Sequence, residues 1–180
     1  MSHRETALRP WNVPVVVAEI PETGLRLDLA PDEATRAALA MAAGVVALPR
    51  FECAFDLTRY GNGGVHVVGW VSATVDQTCV VTLEPIQNEV EEDIDLIFTT
   101  AEGAGAAADG GPAPATDDAP EPLQNGVIDL GGVATEFLIL TLDPYPRRPG
   151  AEFKPPATGE PRGHPFAALA ALKKPGSDAI

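Results

Sequence analysis

From Tyr60 to Pro146 the chain lacks lysine and arginine altogether. The same stretch carries 15 of the 26 acidic residues, so the whole net charge of −14 belongs to it. A field of this sign repels nucleic acid phosphates and favours cationic partners. An acidic run also has a simpler interpretation, in which it only keeps the protein soluble.

Cysteine and long apolar runs are scarce as well. Cys53 and Cys79 form no C-x-x-C pair and no zinc-ligand spacing, so we expect two reduced, buried thiols and no bound metal or other cofactor. No apolar run approaches the roughly 18 residues that span a bilayer, and no apolar run follows a basic start at the N-terminus. The sequence therefore predicts a cytoplasmic protein without membrane contact.

The common catalytic signatures are missing too. The chain has no nucleophile elbow, phosphate-binding loop, dinucleotide fingerprint or H-E-x-x-H motif. Its three histidines, His3, His66 and His164, lie in unrelated contexts. Because no base can be placed beside a nucleophile, we predict that the protein is not an enzyme.

Alternating apolar and charged residues predict an α+β fold with a β-rich, antiparallel core over residues 13–100. Leu25 to Leu29 alternates as a half-buried strand does, and two further runs flank the Tyr60 to Gly64 turn. One helix is expected from Pro31 to Ala43, with Pro31 at its first position and Gly44 at its end. The predicted apolar stripe of this helix consists of Ala34, Ala37, Ala38, Met41 and Ala42.

The strands themselves predict which side chains are buried. Alternation with Phe51 and Phe55 places Cys53 on the core face. Residues 88–98 carry an acidic face, here called the acidic stripe, made of Glu89, Glu91, Asp93 and Asp95. Such a face is either solvated or a docking surface, since nothing indicates a pocket where two carboxylates act as acid and base. Glu92 falls on the apolar side, which indicates a bulge or an edge position.

Composition divides the rest of the chain. In residues 101–122, 16 of 22 residues are Ala, Gly or Pro and five of the other six are acidic, which predicts a disordered linker. Residues 1–12 are expected to be a flexible N-terminus, and residues 146–180 an extended, Pro-rich and mildly basic tail. Between the linker and the tail, residues 123–145 are expected to form a hydrophobic element that packs on the core. Asp129 can cap a helix from Leu130 to about Leu142, although a strand over Phe137 to Leu142 is the alternative.

Two motifs resemble one known family. Cys79 to Pro85 reads C-x-x-x-L-E-P, and Ile128 to Pro144 reads I-D-L, then E-x-L-x-L-x-L-x-P after five residues. Their order, with an acidic strand and an acidic linker between them, resembles the YceD family, named for accumulation of large-subunit ribosomal RNA. The resemblance covers about Val13 to Lys174. It implies a non-catalytic factor in ribosome biogenesis that supports accumulation or processing of this RNA.

The chain departs from that family at one place. Many YceD proteins carry a second cysteine in the turn and a cysteine-rich segment after the last hydrophobic element, which looks like a metal site. Here the turn has only Cys79, and Pro144 to Gly150 has no cysteine. Four thiolate or imidazole ligands cannot be collected, so the chain resembles a metal-free branch of the family.

Two hypotheses about the partner remain open. The first is a basic ribosomal or assembly protein, and the second a cationic partner of a generic acidic binding module. The candidate contact residues are Glu89, Glu91, Asp93, Asp95, Arg147 and Arg148. Direct RNA binding is not expected, except weakly through the basic tail, because aromatics make up only 6% and no strand combines them with basic residues.

Overall fold

The computed structural model describes residues 10–61, 63–100 and 120–153. A five-stranded sheet in the order β2-β3-β4-β5-β6 forms its centre, and a two-stranded sheet pairs β1 with β7. The first four strands of the large sheet are antiparallel, and the short β6 joins β5 in parallel. This architecture confirms the predicted α+β fold. The elements are β1 (Pro14–Val16), a 3₁₀ turn (Val17–Glu19), β2 (Leu25–Leu29), α1 (Glu33–Ala43), β3 (Ala47–Tyr60), β4 (Gly64–Thr78), β5 (Pro85–Thr99), β6 (Glu121–Pro122), β7 (Val127–Asp129) and α2 (Leu130–Thr141).

The long meander of β3, β4 and β5 carries the core. At the predicted turn between β3 and β4, Gly61 and Gly63 both have positive φ, which glycine adopts without a steric penalty. The predicted alternation is confirmed, because the inward side chains are almost completely buried and Cys53 is among them at 1% exposure. The largest of these inward side chains are Phe51, Phe55, Leu57, Val65, Val67 and Val75.

Helix α1 begins and ends close to where the sequence predicts, but it faces the core differently. The Asp32 carboxylate accepts a hydrogen bond from the Thr35 amide at 2.8 Å, so Asp32 is the N-cap and Pro31 precedes it. Gly44 ends the helix in the left-handed conformation. The predicted stripe was wrong, because Leu39 and Ala40 are buried whereas Met41 is 83% exposed. Alanine occurs on every side of this helix, so the single leucine decides which side is buried.

The hydrophobic element after the linker is a helix, which excludes the strand alternative. Leu130, Ala134 and Leu138 of α2 are buried in the core. Asp129 is the N-cap residue, but its carboxylate accepts from the Val13 amide at 2.9 Å and makes no side-chain hydrogen bond to the helix. Asp129 therefore connects α2 to the strand β1 rather than capping the helix in the expected way.

Two predicted boundaries and one predicted strand pairing need correction. Trp11, expected in a flexible N-terminus, packs edge-on against Phe51 with 5.6 Å between the ring centroids. Glu121 and Pro122, assigned to the linker, pair with the end of β5, while residues 101–119 lie outside the described residues. Strand β1 joins β7 in its own small sheet rather than the large one.

Within the described residues, neither helix has the length and apolar character needed to cross a membrane.

Candidate functional site

The acidic stripe lies on the outer face of the large sheet, opposite the core. Its residues pair with β4 in an unbroken register, so Glu89 lies beside Thr74, Glu91 beside Ser72, Asp93 beside Trp70 and Asp95 beside Val68. There is no bulge, and Glu92 is exposed on a strand that lies near the edge of the sheet. Of the two explanations offered for Glu92, the edge position is therefore the correct one.

The two ends of the stripe are paired within the protein. Glu89 accepts hydrogen bonds from the Thr74 hydroxyl at 2.7 Å and from the Arg50 guanidinium at 2.6 Å. These two donors, Thr74 first, lower the pKa of Glu89 below its usual value. At the other end an Asp95 oxygen lies 2.6 Å from His66 Nε2. The ends of the stripe therefore belong to local polar networks.

The centre of the stripe is different. Glu91 and Asp93 are exposed, as is Glu92 between them. In the ranges that the structure describes, no ion pair or side-chain hydrogen bond involves any of these three carboxylates. On the outer face, the carboxylates without a cation partner among the described residues of the stripe are thus Glu91 and Asp93, while Glu92 lies on the other side of the same strand.

Two neighbouring strands extend this acidic surface. Glu52 and Asp56 lie on β3, two strands across from the stripe, and Asp28 lies on the next strand, β2. Asp56 is held by Arg26 at 2.9 Å, and Glu52 lies 3.6 Å from Arg50. The sequence places Glu52 and Asp56 opposite the core, but the pairing register is needed to join them to the stripe.

An exposed tryptophan lies in the middle of these charges. Trp70 sits between Ala54 and Asp93 on the outer face and is 38% exposed. A shallow cleft beside it is lined by Arg50, Glu52, Ser72 and residues 91–93. Sequence reasoning missed this residue, although the alternation of β4 points Trp70 away from the core. An indole face beside carboxylates can attract a lysine or arginine side chain.

Arg147 and Arg148 lie elsewhere, beside the turn formed by residues 79–84, here called the Cys79 turn. The Arg148 guanidinium is 2.6 Å from the Glu84 carboxylate and lowers the pKa of Glu84. The Val80 amide donates to the Pro146 carbonyl at 2.9 Å. This part of the predicted extended tail is therefore attached to the Cys79 turn, and Arg148 has a structural partner while Arg147 is exposed.

Cys79 makes hydrogen bonds both within its own turn and to the tail segment. Its sulfur accepts from the Arg148 amide at 3.3 Å and from the Thr82 amide at 3.5 Å. These donors, the Arg148 amide first, lower the pKa of Cys79 to about 6. Cys53, in contrast, has only apolar surroundings, and burial raises its pKa to about 12.

The surroundings of Cys79 do not fit a metal. A metal site needs several ligands that donate electron pairs, whereas the groups that hydrogen-bond to this sulfur are two backbone N–H groups. Over residues 10–61, 63–100 and 120–153, no three His, Cys, Asp or Glu side chains are grouped to hold an ion. The absence of bound metal in the purified protein stays a prediction.

Taken together, these observations define a small α+β protein with a charged sheet surface opposite its core. The model of the family described as large ribosomal RNA subunit accumulation protein YceD matches residues 67–173, more than half of the chain, and the chain belongs to this family. The match includes the acidic stripe, the Cys79 turn and α2. Comparisons with curated proteins and with solved structures gave no match.

Proposed function

We propose that this chain is a cytoplasmic, non-catalytic factor in ribosome biogenesis that supports accumulation of large-subunit ribosomal RNA by contact with a basic protein. The family name supports the pathway. The contact is supported by one observation above others: Glu91 and Asp93 are exposed carboxylates on the outer face of the sheet and have no cation partner among the described residues. Attraction between such a group and a basic surface raises the association rate and weakens with salt.

The same surface argues against direct RNA binding. Both arginines of the outer face are engaged, since Arg26 pairs with Asp56 and Arg50 pairs with Glu89. Phosphate groups approaching this face would meet carboxylates, and binding to phosphate requires cations that displace counterions. A basic protein is therefore the better partner for this face. A generic acidic module for some other cationic protein remains the second candidate, because the charge alone does not select the ribosomal pathway.

A charge reversal tests the proposal. Glu91→Lys with Asp93→Lys should reduce recovery of the partner protein and the level of large-subunit ribosomal RNA in cells that depend on this chain. The matched control is Glu19→Lys with Glu22→Lys, which changes the net charge equally at exposed positions outside the large sheet. Circular dichroism and thermal unfolding establish that both variants remain folded.

The outcomes separate the candidates. Loss of both readouts in the stripe variant alone supports the proposal. Loss of protein binding with unchanged ribosomal RNA favours the generic acidic module. If the stripe variant behaves as the control does while Arg147→Glu abolishes function, the acting surface is the Cys79 turn and the proposal is wrong. Tight RNA binding by the purified protein at physiological salt, without a partner, would also contradict it.

A further inference from the structure

We propose that the free edge of β5 accepts an extended basic segment of the protein partner as an added strand of the sheet. This inference rests on the proposed function, because it specifies how the acidic stripe would engage its partner. Strand addition is an established mode of peptide recognition, in which main-chain hydrogen bonds supply affinity and alternate side chains supply specificity. The geometry of β5 satisfies both requirements.

The edge is long and open. Strand β5 runs over 15 residues, but β6 pairs with it only at Phe98 and Thr99. In the part of the chain that the structure describes, the backbone from Ile86 to Ile97 pairs only with β4. One end of this edge therefore already carries an added strand, and the rest has backbone N–H and C=O groups without a partner among the described residues.

The direction of these groups follows from one hydrogen bond. The Thr99 carbonyl points away from β4, since it accepts from the Leu123 amide at 2.8 Å. In an antiparallel strand, alternate residues direct their backbone groups to the same edge, and the register between β4 and β5 is unbroken. The residues that present backbone groups to the open edge are therefore those two, four, six, eight and ten positions before Thr99. Four of these five residues are Glu89, Glu91, Asp93 and Asp95, which form the acidic stripe.

This coincidence determines the chemistry of the added strand. Neighbouring side chains on paired strands lie on the same face, about 4.5–5.5 Å apart at Cβ. Every second side chain of an added segment would therefore lie directly beside a stripe carboxylate. Lysine or arginine at those alternate positions complements the stripe, most strongly beside Glu91 and Asp93, which have no cation partner in the part of the chain that the structure describes.

Charge also disfavours two other occupants of this edge, a second copy of the chain and the chain's own residues 101–119. Edge-to-edge pairing with a second copy of this chain would oppose acidic strands, which is destabilising and is a common protection of edges against aggregation. Residues 101–119 of the chain itself contain Glu102, Asp109, Asp117 and Asp118 and no basic residue. Residues 154–180 carry four basic residues but also five prolines, which cannot donate a ladder hydrogen bond. A basic segment of another protein is therefore the occupant that fits better.

A designed peptide tests the mode of contact. The probe has lysine at every second position with threonine or valine between, and its composition-matched control has the lysines clustered at one end. On binding of the probe, the amides of Glu91 and Asp93 should become protected from hydrogen exchange, while those of Val90 and Ile94, which already pair with β4, should not change. Two further probes carry N-methyl groups on one or the other alternate set of amides.

Strand addition predicts that one methylated probe binds about tenfold more weakly or worse, while the other keeps its affinity, since only one set of amides can face β5. Equal affinities of the two methylated probes, or no binding of the original probe, overturn the inference. If the probes bind equally and the stripe charge reversal still lowers ribosomal RNA, the proposed function stands with a purely electrostatic contact. If the charge reversal has no effect, the proposed function fails independently of the peptides.

A pair of variants gives a second test on the protein side. Glu91→Gln removes the carboxylate and keeps the outward N–H, whereas Glu91→Pro removes both, at an edge position where proline is tolerated. Strand addition requires weaker probe binding by Glu91→Pro than by Glu91→Gln. Equal binding by these two variants contradicts strand addition.

Discussion

The two faces of the large sheet differ in what their side chains do. On the inner face Phe55, Val67 and Val75 are completely buried against other apolar side chains. On the outer face, strands β2 to β5 carry carboxylates, arginines and the half-exposed Trp70. Because successive residues of a strand alternate between faces, one sequence supplies stability on one side and a recognition surface on the other. Substitutions on the two faces should therefore affect different measurements.

Phe55→Ala should give the largest loss of stability, and it measures what a fully buried side chain of the inner face contributes. Its side chain is fully buried, so truncation should lower the free energy of unfolding by about 3–5 kcal/mol. Trp70→Ala, on the outer face, should cost less, because 38% of this residue is already exposed to water. Denaturant midpoints measure both, and a larger loss for Trp70→Ala would contradict the division between faces.

Leu138→Ala should give the next largest effect and tests whether α2 belongs to the inner face. Leu138 is 1% exposed, and its truncation should cost about 2–5 kcal/mol. Leu140→Ala is the matched control on the same helix, since Leu140 is 73% exposed and should change stability by less than about 0.5 kcal/mol. Equal effects of the two variants would show that α2 is not docked on the sheet.

The faces are largely readable from the sequence, whereas the pairings across the outer face are not. Alternation gives the buried side of Cys53 and the position of the acidic stripe because it is a local, period-two signal. The Arg50–Glu89 contact joins residues 39 positions apart, and Arg148–Glu84 joins residues 64 apart. Such contacts depend on strand register and chain return. The sequence therefore predicts where the acidic residues lie, but it does not show which of their carboxylates are already paired with arginine.

Arg50→Gln sharpens the difference between the ends and the centre of the stripe. Without the guanidinium the pKa of Glu89 should rise towards its usual value, although the Thr74 hydrogen bond still lowers it. Glu89 would then be an additional free carboxylate at neutral pH, and the lysine probe should bind roughly twofold to fivefold more tightly. Carboxyl resonances followed by NMR during a pH titration measure the first effect, and peptide titration the second.

The matched control removes the same charge from the same face. Arg26→Gln frees Asp56 and Asp28, which lie towards β2 and away from the edge of β5. If the peptide binds along β5, Arg26→Gln should change its affinity less than Arg50→Gln does. The opposite order would place the peptide on the β2 side of the sheet.

The two cysteines separate burial among apolar groups from burial among N–H donors. Cys53 on the inner face has a pKa raised to about 12, and Cys79 has one lowered to about 6. In a Cys53→Ala protein, thiolate absorbance at 240 nm should therefore appear near pH 6. An unfolded chain keeps the Cys79 proton up to its ordinary pKa of 9.0, so folding is favoured increasingly between about pH 6 and pH 9. That contribution is lost as the pH falls through 6.

Two variants identify the group responsible for the low pKa. Arg148→Pro removes the amide that makes the largest contribution, and the pKa of Cys79 should rise towards 9.0. Arg148→Ala keeps the amide and removes only the guanidinium, so the titration should stay near pH 6. If Arg148→Ala raises the pKa as much as Arg148→Pro does, the guanidinium acts on the sulfur, directly or by holding the segment in place. The backbone N–H would then not be sufficient by itself to stabilise the thiolate.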